Sequence, residues 1–171
     1  MMVKIFFFSF FLLGNCLAAY AQNDFPYDKY SPRTLAEIGE LNAVTEKASP
    51  DINDPKTSGR IFDADFLYSR VRVKFMNKSR PISAERKELM GFWQKTFGLD
   101  EKKMTLFENE YLFKECNTEY WMPVQKQVAG YFAGELKEGD MVTLYLMRAS
   151  AKRAKGSGVW DWVYLVNEFI K

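Results

Sequence analysis

The sequence predicts an α+β domain: a small antiparallel sheet or a five-stranded Greek-key barrel, with two to three helices. Three observations carry this. Short segments alternate apolar and polar residues at the period of a half-buried strand. They are interrupted by capped segments with helical spacing. The chain is also 16% aromatic, with 47% apolar residues overall. That gives a one-domain chain enough large side chains to build a core.

The first 21 residues predict an export leader. Lys4 supplies one positive charge, and the run from Ile5 to Leu13 holds five Phe and one polar residue, Ser9. In Ala19-Tyr20-Ala21 the two alanines then supply small residues at the two positions a signal peptidase reads, which makes Gln22 the new N-terminus. The apolar run falls well short of the roughly 20 residues that span a bilayer. A second reading anchors the chain by a lipid on Cys16, although Asn15 stands where such a site usually has a small residue. Cleavage after Ala21 leaves 171 − 21 = 150 residues with 24 − 1 = 23 basic and 22 acidic side chains. A net charge this near zero argues against a dedicated nucleic-acid binder. Once Cys16 is lost, Cys116 stands alone, so no internal disulfide can form. Cys116 itself is expected to pack as a small residue near a strand end.

Residues 22–59 are read as a tail, a short helix and a linker, and residues 60–171 as the globular domain. Gln22 to Tyr30 lacks any period and predicts a loose tail. Ser31 and Pro32 predict a helix start, with Leu35, Ile38, Leu41 and Val44 as an inward stripe. Arg70 to Phe75 alternates strictly, which predicts a strand with Val71, Val73 and Phe75 inside and Arg70, Arg72 and Lys74 outside. Asn77 to Ile82 is expected to turn the chain. Ser83 then caps a helix carrying Leu89, Met90, Trp93 and Phe97, and Gly98 stops it.

Met104 to Glu115 predicts the next strand, and Thr118 to Met122 another that ends at Pro123. Val124 to Leu136 predicts a helix with Val124, Val128, Tyr131, Phe132 and Leu136 inward. Lys137 to Asp140 reads as a tight turn and Met141 to Met147 as a strand. Arg148 to Gly158 reads as a basic loop. Val159 to Ile170 is a last strand, apolar on both faces and so expected in a central place. With the first helix set aside, the order is strand, helix, strand, strand, helix, strand, strand. That order resembles the small barrels of the oligonucleotide/oligosaccharide-binding (OB) type.

What the chain lacks narrows its chemistry. It has no His, which excludes imidazole acid–base catalysis, His-dependent triads and imidazole metal ligands. A lone Cys excludes a thiolate zinc site, no phosphate-binding glycine motif occurs, and no cofactor is predicted. Glu108 and Glu110 sit two apart on a strand, hence roughly 7 Å apart on one face. Such a pair is the starting point for a carboxylate-based hydrolase. Their structural alternative is a set of cross-strand ion pairs with Arg70, Arg72 and Lys74, each contributing about 0–1 kcal/mol.

The second candidate is the basic loop. Arg148, Lys152, Arg153 and Lys155 can gather an anion there, with Trp160 and Trp162 nearby to stack on a sugar. Its structural alternatives are a solvated hairpin tip and a pair of core indoles. The leading expectation is therefore an exported, non-enzymatic binding or interaction module for an anionic or carbohydrate-like ligand. Candidate partners are an acidic glycan, an anionic lipid surface or another envelope protein. The alternatives are the hydrolase and a structural envelope protein. Asn77, Lys78 and Ser79 match a glycosylation acceptor in hosts that modify secreted proteins.

Overall fold

A computed structural model of the chain describes residues 25–49, 60–61, 66–98, 105–153 and 160–171. The predicted leader with Cys16, nearly all of the predicted linker and Lys155 lie outside the described residues. In chain order the elements are β1 (Ser31–Pro32), α1 (Leu35–Ala48), β2 (Arg60–Ile61), β3 (Tyr68–Pro81), α2 (Ala84–Thr96), β4 (Phe107–Glu115), β5 (Thr118–Gln125), α3 (Lys126–Glu135), β6 (Met141–Arg153) and β7 (Trp160–Ile170). No described helix is long and apolar enough to cross a membrane.

Strands β3, β4, β5, β7 and β6 follow one another in the sheet, and β6 pairs back onto β3 to close an OB-like barrel. Every pairing in the ring is antiparallel except β5 with β7, which meet in parallel at Val124 and Val166. The closed barrel, rather than an open sheet, follows from the length of β3. Its first half pairs with β6 from Tyr68 to Lys74, and its second half pairs with β4 from Lys74 to Pro81. A register irregularity between Phe75 and Ser79, with Asn77 at φ 49°, lets the strand bend between those partners. The expected turn at Asn77 is therefore a bulge inside a longer strand. Pro123 does not end β5 either; it sits opposite Glu110 within the ladder. A proline is tolerated there because the far edge of β5 meets β7 only at Val124.

The barrel interior is filled by Val71, Val73, Phe75, Phe113, Met122, Val142, Leu144 and Leu146, all 1% exposed or less. Phe132 of α3 enters this core against Phe75, Tyr111 and Phe169, with ring centroids 5.1–5.2 Å apart. Val128 and Leu136 join it as predicted, while Tyr131 faces out at 58% exposure and Val124 belongs to β5. Helix α2 starts at Ser83, whose hydroxyl accepts from the Arg86 amide, and ends beside Gly98 at φ +60°. Its Leu89, Met90 and Trp93 form a second cluster with Ala149, Val163 and Leu165. Strand β7 is apolar on both faces because that cluster covers one side while Tyr164 and Val166 face the barrel core.

The N-terminal segments are part of this packing, so the boundary predicted at residue 60 does not separate α1 from the core. Leu35 and Ile38 lie in the barrel cluster. Residues 25–30 are not a loose tail: Tyr30 is buried, and Phe25, Tyr27 and Tyr30 pack round Tyr145. Ser31 and Pro32 add a short parallel strand to β3 instead of starting α1. Thr34 is the cap: its hydroxyl accepts from the Glu37 amide, and the Glu37 carboxylate accepts from the Thr34 amide. The Glu115 carboxylate accepts the next two amides, from Leu35 at 2.9 Å and Ala36 at 3.1 Å. A negative charge at a helix N-terminus is favourable, and it ties α1 to the β4–β5 hairpin.

The stripe predicted on α1 is wrong beyond Ile38. Residues three apart rotate by about −60° per step on a helix of 3.6 residues per turn, so Val44 lies about 180° from Leu35. Leu41 and Val44 are accordingly exposed, at 41% and 64%. The face carrying Leu35 continues instead to Asn42 and Glu46. Cys116 is not packed either; it is exposed at φ 51°, in the turn joining β4 to β5.

Candidate functional site

Glu108 and Glu110 do not form the pair that their spacing predicts. Phe107 opposes Gln125 and Asn109 opposes Val124, so β4 carries an extra residue between them. Glu108 is 55% exposed and bonds to Lys126 at 2.9 Å. Glu110 is 2% exposed and held by Arg80 of β3 and Arg86 of α2. Arg86 also donates to the Trp121 carbonyl of β5 at 3.1 Å, a group that the sparse β5–β7 pairing leaves open. Arg80 lies over the Trp121 ring, 4.0 Å from its centre. This ion cluster, centred on the buried Glu110 carboxylate, pins the first turn of α2 across the outside of the barrel.

The predicted ion ladder between Arg72 and Glu110 is also absent. Strands β3 and β4 are neighbours, but the residue facing Glu110 is Arg80, while Arg72 faces Thr143 of β6. The charge periods match on both strands. The register that decides which charges meet is set by the bulge at Asn77.

The described part of the predicted basic loop, Arg148 to Arg153, is strand. Arg148 to Arg153 extend β6, paired with β7 from Tyr164 back to Trp160. Arg148 is 4% exposed and donates to the Asn42 side-chain oxygen at 2.9 Å. The Asn42 amide in turn donates to the Tyr164 hydroxyl at 3.0 Å. Burial raises the Tyr164 pKa, and the Asn42 bond partly offsets that rise. Trp162 donates to Glu46 at 2.7 Å, stacks on Trp160 and carries the Arg148 guanidinium over its ring. The same face of β7 that was to stack a sugar thus seats α1, and Trp162 already has Trp160 and Arg148 against its ring. Lys152 and Arg153 lie in β6 opposite Trp160 and Arg60. Lys155 lies outside the described residues.

A cleft of about 310 Å³ lies between α2, β4 and β7, lined among others by Arg80, Arg86, Glu110, Asp161 and Trp162. It brings together residues from both predicted sites. Its two guanidiniums are, however, already committed to Glu110.

A group of cations without a carboxylate partner among the described residues lies on the outer face of β3. Arg70, Arg72 and Lys74 are all exposed, on alternate positions roughly 7 Å apart. Lys114 of β4 stands directly opposite Lys74 and shares that face. Among the described residues, none of these four cations is within salt-bridge distance of a carboxylate. On the β6 side the facing residues are Tyr145, Thr143 and Met141, which carry no charge. Carboxylates border the face without neutralising it. Glu119 opposes Lys114, and Glu168 opposes Tyr145 and accepts from the Phe169 amide. Asp140 is bonded to Lys171 at 2.7 Å. That bond, and then the Lys137 backbone amide, hold its carboxyl below the ordinary range.

The alternation of Arg70, Arg72 and Lys74 was legible as a basic strand face. It was matched to the wrong partners, and the β6 neighbours appear only once the barrel closes. No family model, curated protein or solved structure matches this chain.

Proposed function

We propose that this chain is an exported, non-enzymatic binding module that takes an anionic ligand on the outer face of β3, after loss of residues 1–21. One observation carries this: four cations, Arg70, Arg72, Lys74 and Lys114, share a sheet face with no carboxylate in salt-bridge contact among the described residues. Lys74 and Lys114, directly opposite on neighbouring strands, repel one another. An anionic ligand offsets that repulsion. The leader sequence supports an exported location, and the OB-like barrel supplies a rigid surface on which the cations keep their spacing.

The test is binding of the purified protein to an anionic surface or polymer as ionic strength rises. Exposed charges are screened beyond about 8 Å at physiological salt, so affinity should fall steeply. A basic side chain near an anionic surface contributes about 1 kcal/mol. Changing Arg70, Arg72 and Lys74 together to Ser should therefore weaken binding about 100-fold, with the melting temperature unchanged. Equal binding by that variant would refute the proposal.

A further inference from the structure

We infer that the ligand of the β3 face is an anionic lipid surface; this rests on the reading just given and names its partner. The distinguishing observation is apolar. Met141 and Ile170 are two of the few large hydrophobic side chains that stay open to solvent, at 44% and 43%. Both belong to the cationic face. Met141 stands directly opposite Lys74 in the β3–β6 ladder. Ile170 stands opposite Thr143, which itself stands opposite Arg72. Residues directly opposite in an antiparallel pair project from the same side of the sheet. One row across the barrel therefore reads Lys114, Lys74, Met141, and the next reads Arg72, Thr143, Ile170.

This mixture separates two kinds of anionic partner. An acidic glycan is recognised by cations and hydrogen-bond donors, and exposed Met and Ile side chains add nothing to it. An anionic bilayer presents charged headgroups above an apolar layer. Cations of the face meet the headgroups, while Met141 and Ile170 enter the boundary beneath them and leave water. A Met side chain is unbranched and adapts to an irregular lipid surface. The uncharged Thr143 lies between Arg72 and Ile170. Binding of this kind is peripheral and reversible.

The experiment uses the purified protein with three probes. These are vesicles of phosphatidylcholine alone, vesicles of phosphatidylcholine mixed with phosphatidylglycerol, and soluble polygalacturonate. The wild type should sediment with the mixed vesicles and not with the neutral ones. The double variant Met141→Ser with Ile170→Ser should lose about tenfold in affinity for the mixed vesicles, as burying half-exposed apolar side chains predicts. The same variant should bind polygalacturonate as the wild type does, or as poorly. Met141→Leu should retain vesicle binding, and a melting curve for each variant shows that the barrel is intact. Undiminished binding of the double variant to mixed vesicles overturns the lipid assignment. So does a wild type that binds polygalacturonate but not mixed vesicles, in which case the cationic face stands and its partner is a glycan. Failure of the underlying reading looks different: the Arg70, Arg72 and Lys74 triple variant would then bind every probe as the wild type does.

Discussion

Arg148 and Arg72 belong to neighbouring strands of one barrel, and the fold treats them in opposite ways. Arg148 is buried, bonded to Asn42 and laid over Trp162. Arg72 is exposed and faces the uncharged Thr143. The first cation fastens α1 to the β6–β7 ribbon, and its geometry is occupied. The second holds nothing in place. The same contrast separates Glu110, locked between two guanidiniums, from the cations of β3. Charge in this protein does structural work where the chain buries it and stays available where the sheet turns it outward. Residue type alone does not distinguish the two.

This contrast predicts effects of different size. The largest is at Glu110. Replacing it with Ala leaves Arg80 and Arg86 without their shared carboxylate; with the guanidiniums 51% and 29% exposed, losing both charge-assisted bonds costs about 2–3 kcal/mol. Urea denaturation should show the loss, and the first turn of α2, which carries Arg86, should become accessible to protease before the barrel does. A loss below 1 kcal/mol would mean that the cluster is a surface ornament and that the contrast with β3 fails.

Asn42 should come next. Asn42→Ala removes the group that joins Arg148 to Tyr164, and leaving buried polar groups without their bond costs about 1–3 kcal/mol. Arg72→Ser should change stability by less than about 0.5 kcal/mol, as for a surface position without partners. Measured side by side in one denaturant series, these two variants sharpen the comparison. Equal costs would show that Arg72 has a structural role after all.

Much of the barrel was legible from local patterns. The alternation around Val71, Val73 and Phe75, the Ser83 cap and the Gly98 stop each depend on neighbours in sequence, and each appears where the pattern predicts it. The misreadings have other causes. Val44 was placed inside because three-residue spacing was read as a stripe, although it precesses round the helix. Thr34 forms its capping box with Glu37, three residues on, so that cap is as local as the one at Ser83; only the Glu115 carboxylate on the Leu35 amide, 80 residues away, is long-range. Glu108 and Glu110 parted at a bulge, and Arg148 became strand because β7 continues beside it. Bulges and register are settled between strands, so a single strand's sequence does not reveal them. The candidate site was half legible for that reason. Its cations announce themselves on β3, while Met141 and Ile170 join them only through the ladders of a closed ring.

The most direct measurement of where the ligand sits is an amide chemical-shift titration of the labelled protein with short-chain phosphatidylglycerol. The account predicts that the perturbed amides cluster at Arg70, Arg72, Lys74, Lys114, Thr143 and Ile170, and that those of Asn42, Trp162 and Glu110 stay in place. Shifts gathered instead around Trp162 and Asp161, with β3 unmoved, would contradict it and transfer the site to the cleft beside α2.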